Sequence, residues 1–342
     1  MQRFGRFPIA PFLGGVKRHP SFLPHLTRGL RYVVDAYYAA KEREGMREYN
    51  TKRIKEHRPL SGEDSFFYSP IDSTGEIALG VADGVGGWAD LGVDPAEFSF
   101  ALTDRMAERA TKGSLSDSEH RAGNVTAPLS ALSLLRDSYE YVVNQKLVKA
   151  GSSTACVGVT HNNKLQVANI GDSGFFICRQ GKIAHVSSPQ LHYFNAPYQL
   201  SIIPQKLIDH AKRSGRKHFQ DYPDESELSV HSLIPGDVVV FATDGLFDNM
   251  SITECLAIVS ERMLAHKCWE RHPEKGISHN SELTNECVTS IAMALVNRAR
   301  TYSLDTKRDS PFAREAQRTA QIYYTGGKPD DITVVCMLVK QD

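Results

Sequence analysis

The stretch Ile77-Ala78-Leu79-Gly80-Val81-Ala82-Asp83-Gly84-Val85-Gly86-Gly87-Trp88 decides how this chain is to be read: an apolar run ends on a carboxylate and then on a glycine-rich turn. An uninterrupted apolar run of this length suits a strand covered on both faces, and the glycines mark where it reaches the surface. The same juxtaposition recurs three times. Val238-Val239-Val240-Phe241 leads to Thr243-Asp244-Gly245, Pro329-Asp330-Asp331 precedes Ile332-Thr333-Val334-Val335, and Gly62-Glu63-Asp64 precedes Ser65-Phe66-Phe67-Tyr68. Carboxylates crowded at such partly dry places need cations. No Lys or Arg pattern recurs beside all four stations, so divalent metal is the expected counter-charge.

Working outward, the folded part is expected to begin near residue 60. Strands over 65–68 and 77–82 form a hairpin about the turn 70–75. A helix starts at Asp94, with Pro95 in its first turn and Glu97 completing a capping box. Residues 112–128 read as a loop, 129–149 as a helix stopped by Gly151, and 155–160, 165–170 and 174–179 as strands. Gly171-Asp172-Ser173-Gly174 reads as a hairpin turn between the last two. Residues 186–232 form an inserted flap with a short helix over 204–214. A strand over 237–242, a helix capped by Ser251 and Glu254, a loop over 266–284, a helix from Glu286 and a strand over 332–339 complete the chain. Strands in blocks, with helices between the blocks, point to an α+β fold with antiparallel sheets and helices packed outside.

With 342 residues, 41% hydrophobic content and no formal net charge, the chain can bury a substantial core and lacks the basic footprint of a nucleic-acid binder. Its six cysteines show no metal-ligand spacing and read as reduced, buried thiols. No run approaches the roughly 18 consecutive apolar residues of a membrane span. Before the first acidic residue, Asp35, come Arg3, Arg6, Lys17, Arg18, Arg28 and Arg31, the bias of a mitochondrial or plastid transit peptide. The expected division is a basic N-terminal segment, presequence plus linker, over 1–45, and one catalytic domain over 46–342.

Asp, Glu and backbone carbonyls are hard oxygen donors, and no histidine adjoins an acidic station, which favours Mg²⁺ or Mn²⁺ over Zn²⁺. Two such ions roughly 3.5–4 Å apart lower the pKa of a shared water until hydroxide attacks phosphorus in line. Asp83 is the candidate bridge, joined by the Gly84 carbonyl, with Trp88 packed beneath. Asp244 and Asp330 complete one shell, and Glu63 and Asp64 hold or orient bound waters. Asp172 is either a ligand of a third ion or a turn residue, and Asp248 reads as a helix-start residue.

Taken together, Gly62-Glu63-Asp64, Val81-Ala82-Asp83-Gly84-Val85-Gly86-Gly87-Trp88, Gly151-Ser152-Ser153-Thr154-Ala155, Ala168-Asn169-Ile170-Gly171-Asp172-Ser173, Ala242-Thr243-Asp244-Gly245 and Asp330-Asp331-Ile332-Thr333-Val334-Val335 resemble the metal-dependent protein phosphatases of type 2C. The resemblance runs in order from about residue 60 to the C-terminus. It implies an antiparallel β-sandwich flanked by helices on both sides, a binuclear Mg/Mn centre, and hydrolysis of phosphoserine and phosphothreonine in protein partners. Phe194-Asn195-Ala196-Pro197-Tyr198-Gln199-Leu200, together with Gly86-Gly87-Trp88, further resembles the mitochondrial branch linked to ubiquinone biosynthesis, and the absence of twin-cysteine spacing favours the matrix over the intermembrane space. Two positions depart from the family pattern: Val85 stands where many relatives have His, and Pro59 where they have Arg. Arg58, one position out of register, is the substitute candidate for binding substrate phosphate. Those departures also motivate a rival, a pseudophosphatase that binds phosphoproteins without turnover; a third reading is a phosphodiesterase using the same metals.

Overall fold

Ten strands build two five-stranded antiparallel sheets in the computed structural model, which describes residues 29–43, 46–71, 75–112, 128–214, 219–274, 276–280 and 285–341. In chain order they are β1 (Leu30–Ala39), β2 (Asp64–Pro70), β3 (Ile77–Asp83), β4 (Ala155–His161), β5 (Lys164–Ile170), β6 (Gly174–Arg179), β7 (Lys182–Val186), β8 (Glu227–Ser232), β9 (Val238–Ala242) and β10 (Ile332–Gln341). One sheet has the order β8-β5-β4-β3-β2, the other β1-β10-β9-β6-β7. The expected α+β sandwich is thus present.

Strand alternation sorts its three cores. Along β10, Val335, Met337 and Val339 face the opposite sheet together with Leu79, Val81, Phe175 and Phe241. Val334, Cys336 and Leu338 face outward, against the helices α6 (Ile252–Ala265) and α7 (Asn285–Ser303). On the other sheet Ala78, Val157, Val159 and Ala168 pack against α2 (Ala96–Thr111) and α3 (Ala131–Asn144). Strands buried on both faces explain why the sequence shows solid apolar runs rather than alternation. All six cysteines are buried and none is in a disulfide, and among the described residues no helix is long and apolar enough to cross a membrane.

Several expectations need correction. The segment given to an N-terminal linker contributes β1, whose ten residues pair with β10 from Leu30 opposite Gln341 to Ala39 opposite Ile332; the sandwich therefore begins before residue 46. Gly171-Asp172-Ser173 is not a hairpin turn. It carries the chain from β5 in one sheet to β6 in the other. The end of the expected flap, Glu227–Ser232, is β8, an edge strand paired with β5. The residues over 266–284 include a hairpin, Trp269–His272 with Gly276–His279, anchored where the buried Trp269 donates its indole N–H to the Gly236 carbonyl at 2.9 Å.

Helix ends differ as well. The expected helix over 129–149 is α3 alone, begun by Ser130, whose hydroxyl accepts from the Ser133 amide, and ended near Lys146, which takes a left-handed φ of 52°. The capping box of Asp94 forms only by half: Asp94 Oδ1 accepts the Ala96 amide at 3.2 Å, but the Glu97 carboxylate meets Lys52 instead of the Asp94 amide, and Arg53 and Lys52 also bind the Asp94 carboxylate. The Ser251–Glu254 box forms as expected. Most of the loop over 112–128 lies outside the described residues.

Candidate metal centre

Antiparallel pairing is what gathers the acidic stations. Asp64 opens β2 and Asp83 closes β3, and the two stand opposite each other in register. Ala242, the end of β9, lies opposite both Val334 of β10 and Gly174 of β6, so Asp244, the Asp330–Asp331 pair and Asp172 emerge at the same end of the sandwich. Five strand ends and the link between the sheets thus converge. Thr243 ties them together: its hydroxyl donates to Asp64 Oδ2 at 2.8 Å and accepts the Thr333 amide at 3.0 Å.

Electrostatics record the crowding. Burial first, and then the charges of Asp64, Asp244, Asp330 and Asp172, push the Asp83 carboxyl well above the ordinary range. Asp172 and Asp64 are raised for the same two kinds of reason, and burial lifts Asp248 to about 7 against the pull of Lys328. Asp244 goes the other way: burial opposes its ionisation, but the Lys328 ammonium holds it below the usual carboxylate value. Glu63 is raised by burial despite Lys41 and Arg43.

Three basic residues absent from the sequence reading supply these counter-charges. Lys328 Nζ sits 2.6 Å from Asp244 Oδ2, 2.6 Å from Asp248 Oδ2 and 3.3 Å from Asp330 Oδ2. Lys41 Nζ lies 2.8 Å from Asp330 Oδ1 and 3.2 Å from Glu63 Oε2, and Arg43 pairs with Glu63 and Asp331. Lys328 was visible two residues before Asp330, but only one of the four stations has such a neighbour. Lys41 and Arg43 reach the site by following β1, so no local pattern around an acidic station announces them.

Each expected site residue has a definite place. Asp83, Asp244, Asp330, Glu63, Asp64 and Asp172 are brought to this end of the molecule, and Asp248 joins them as the C-cap of the short helix Asp244–Phe247 rather than as a helix start. The Gly84 backbone runs where a side chain could not: a Cβ there would stand 2.4 Å from the Pro95 carbonyl oxygen. Trp88 is buried and donates its indole N–H to Ser152 Oγ at 2.7 Å. Arg58 is not brought in. Its guanidinium lies 4.7 Å from the Phe100 ring centroid, pairs with Glu56 and Asp104, and lines a separate cavity against α2.

Among the described residues no group of three or more His, Cys, Asp or Glu side chains is arranged to hold an ion as it stands, and ammonium groups stand between the carboxylates instead. The donors nevertheless fit a hard divalent cation. Asp64 Oδ1 and Asp244 Oδ1 are buried with no hydrogen-bond partner among the described residues, a costly condition that an ion would relieve. A cavity of about 300 Å³ opens beside Asp244, lined by Asp172, Asp244 and Asp248 together with Pro189, Leu191, Phe194 and Asn195.

Comparison with known proteins agrees with this arrangement. The protein phosphatase 2C family model matches residues 102–193. The protein phosphatase PTC7 homolog fig of Drosophila mojavensis is 35% identical over 311 residues, covering 90% of this chain and 87% of that protein. The 5-azacytidine resistance protein azr1 of Schizosaccharomyces pombe is 36% identical over 286 residues, covering 82% and 83%. Among solved structures, the photosystem II phosphatase PBCP superposes with a TM-score of 0.62 at 25% identity, over 90% of this chain and 99% of that one. The acidic end of this helix-flanked sandwich, and relatives aligned along most of its length, identify the chain as a member of the protein phosphatase 2C family.

Proposed function

We propose that this phosphatase hydrolyses phosphoserine and phosphothreonine at a pair of Mg²⁺ or Mn²⁺ ions held by Asp83, the Gly84 carbonyl, Asp244 and Asp330, with Glu63 and Asp64 orienting bound waters and Asp172 beside a further ion. The observation that carries the reading is the convergence of these oxygens from five strand ends, with two buried carboxylate oxygens that meet no hydrogen-bond donor among the described residues. Ions bound there would acidify a water and offset the charge of the phosphoryl oxygens. The rest is done by the chain. Asp331 accepts the amides of Glu63 and Lys41 at 2.8 Å each, which fixes both residues at the site. Lys41 and Arg43, partly exposed there, are the cations placed to meet phosphoryl oxygens, the task first given to Arg58. The Val85 side chain has no ionisable proton to give, so water is the proton donor for the leaving oxygen in this reading.

The test is phosphate release from a phosphothreonine peptide, with melting temperature as a second readout. Chelation should abolish turnover and Mn²⁺ restore it. Asp83→Asn and Asp244→Asn should each lose at least about a thousandfold in kcat. Mn²⁺ should raise Tm of the wild type and leave Asp83→Asn unmoved; equal weak turnover in all three proteins would favour phosphopeptide binding without catalysis.

The finer reading is an enzyme of the mitochondrial matrix that acts on ubiquinone biosynthesis. The basic bias of residues 1–34 and the segment Phe194 to Leu200 support it. The full chain should co-sediment with mitochondria and resist protease until the inner membrane is opened. Recovery in the cytosolic fraction would end that reading.

A further inference from the structure

Asp172, Asp244 and Asp248 make the acidic end of the cavity beside Asp244, and the one further carboxylate on its lining, Glu315, is paired with Arg318. Leu191, Phe194, Phe247 and Phe312 also line it, each half-buried, so their apolar faces border the space. Its walls are tied to the acidic end by main-chain bonds. The Phe312 amide donates to the Asp248 carbonyl at 3.1 Å, and the Gln190 amide donates to the Gly171 carbonyl, next to Asp172, at 2.8 Å. Phe194 and Phe312 meet with ring centroids 5.2 Å apart, and Tyr324 braces Phe312 edge-on at 5.0 Å. Asn195 holds a left-handed φ of 56°, a conformation Asn tolerates, at the turn that presents Phe194.

Resting on the phosphatase reading above, we propose that this apolar end is a specificity subsite for a large apolar side chain, Leu, Ile, Met or Phe, within two residues of the phosphoserine or phosphothreonine. Continuity argues for that occupant: Asp244 belongs both to the ion-holding set and to the cavity wall. An extended peptide advances about 3.3 Å per residue, so a substrate with its phosphate at the acidic end places a neighbouring side chain over these rings. About 300 Å³ accommodates one such side chain with its backbone. Covering half-exposed aromatic faces supplies affinity that a polar neighbour cannot.

Matched phosphothreonine peptides with Leu or Ser at the flanking positions test this, with para-nitrophenyl phosphate as a substrate that has no flanking residue. The wild type should favour the Leu peptides by about tenfold to a hundredfold in kcat/KM, chiefly through KM. Phe194→Ala and Leu191→Asp should erase that preference and leave para-nitrophenyl phosphate turnover and Tm within about twofold and a few degrees of wild type. Loss of turnover on all substrates alike in these variants, or a wild type that treats the peptides equally, overturns the subsite. A wild type that hydrolyses none of the three substrates overturns the phosphatase reading, and the subsite with it.

Discussion

Asp330 and Asp331 are chain neighbours pointing to different surroundings. Asp330 meets Lys41 and Lys328 among the acidic side chains, whereas Asp331 is almost fully buried, accepting the amides of Lys41 and Glu63 and pairing with Arg43. Gly62 is adapted to it: a Cβ there would stand 2.0 Å from Asp331 Oδ1, and the residue's φ of +78° already excludes most side chains. Asp331→Ala strands two amides and a guanidinium, so it should cost about 3 kcal/mol in urea unfolding, while Asp331→Asn, which keeps an acceptor, should lose clearly less. Equal losses would show that the charge, not the amide bonds, matters. The sequence presented these two aspartates as one station. Which of them meets the lysine ammonium groups depends on strand alternation and on contacts 290 residues away in the chain, neither of which a local motif contains.

At the scale of elements, legibility followed burial. β3, β9 and β10 are buried on nearly every residue, so their apolar runs were unmistakable, and the aspartates at their ends were found with them. β1 is a different case: an edge strand, half-buried along most of its length, with Arg31 and Asp35 inside it. An edge needs pairing on one side only, and its mixed composition lets it pass for a linker. The hairpin about residues 269–279 was hidden likewise, since only Trp269 is buried. The misread link at Gly171–Ser173 has another cause. Its residues suit a tight turn, and only sheet membership, a long-range property, distinguishes a hairpin from a crossing.

At the scale of the molecule, two sheets enclose one core and helices close one on each outer face. His185 on β7 and His231 on β8 bridge the sheets at their edges, ring centroids 4.1 Å apart and both near Phe175. Burial lowers both imidazoles, Glu227 partly offsetting it for His185 and the neighbouring imidazole adding to it for His231. A lowered histidine contributes stability that is complete above the unfolded value, about 6.5, and is lost as pH falls through the folded one. The raised Asp64, Asp83 and Asp172 carry the opposite sign, so the comparison must be differential. Between pH 7.5 and 5.5, wild-type Tm should fall relative to His185→Phe; parallel curves would exclude the pair as a source of acid sensitivity. The lysines among the carboxylates have a consequence of their own. A polypeptide that brings its own counter-charge to so acidic a corner has much of that corner's repulsion offset by tethered ammonium groups as soon as the strands pair, so its shape is not left to depend on a solute.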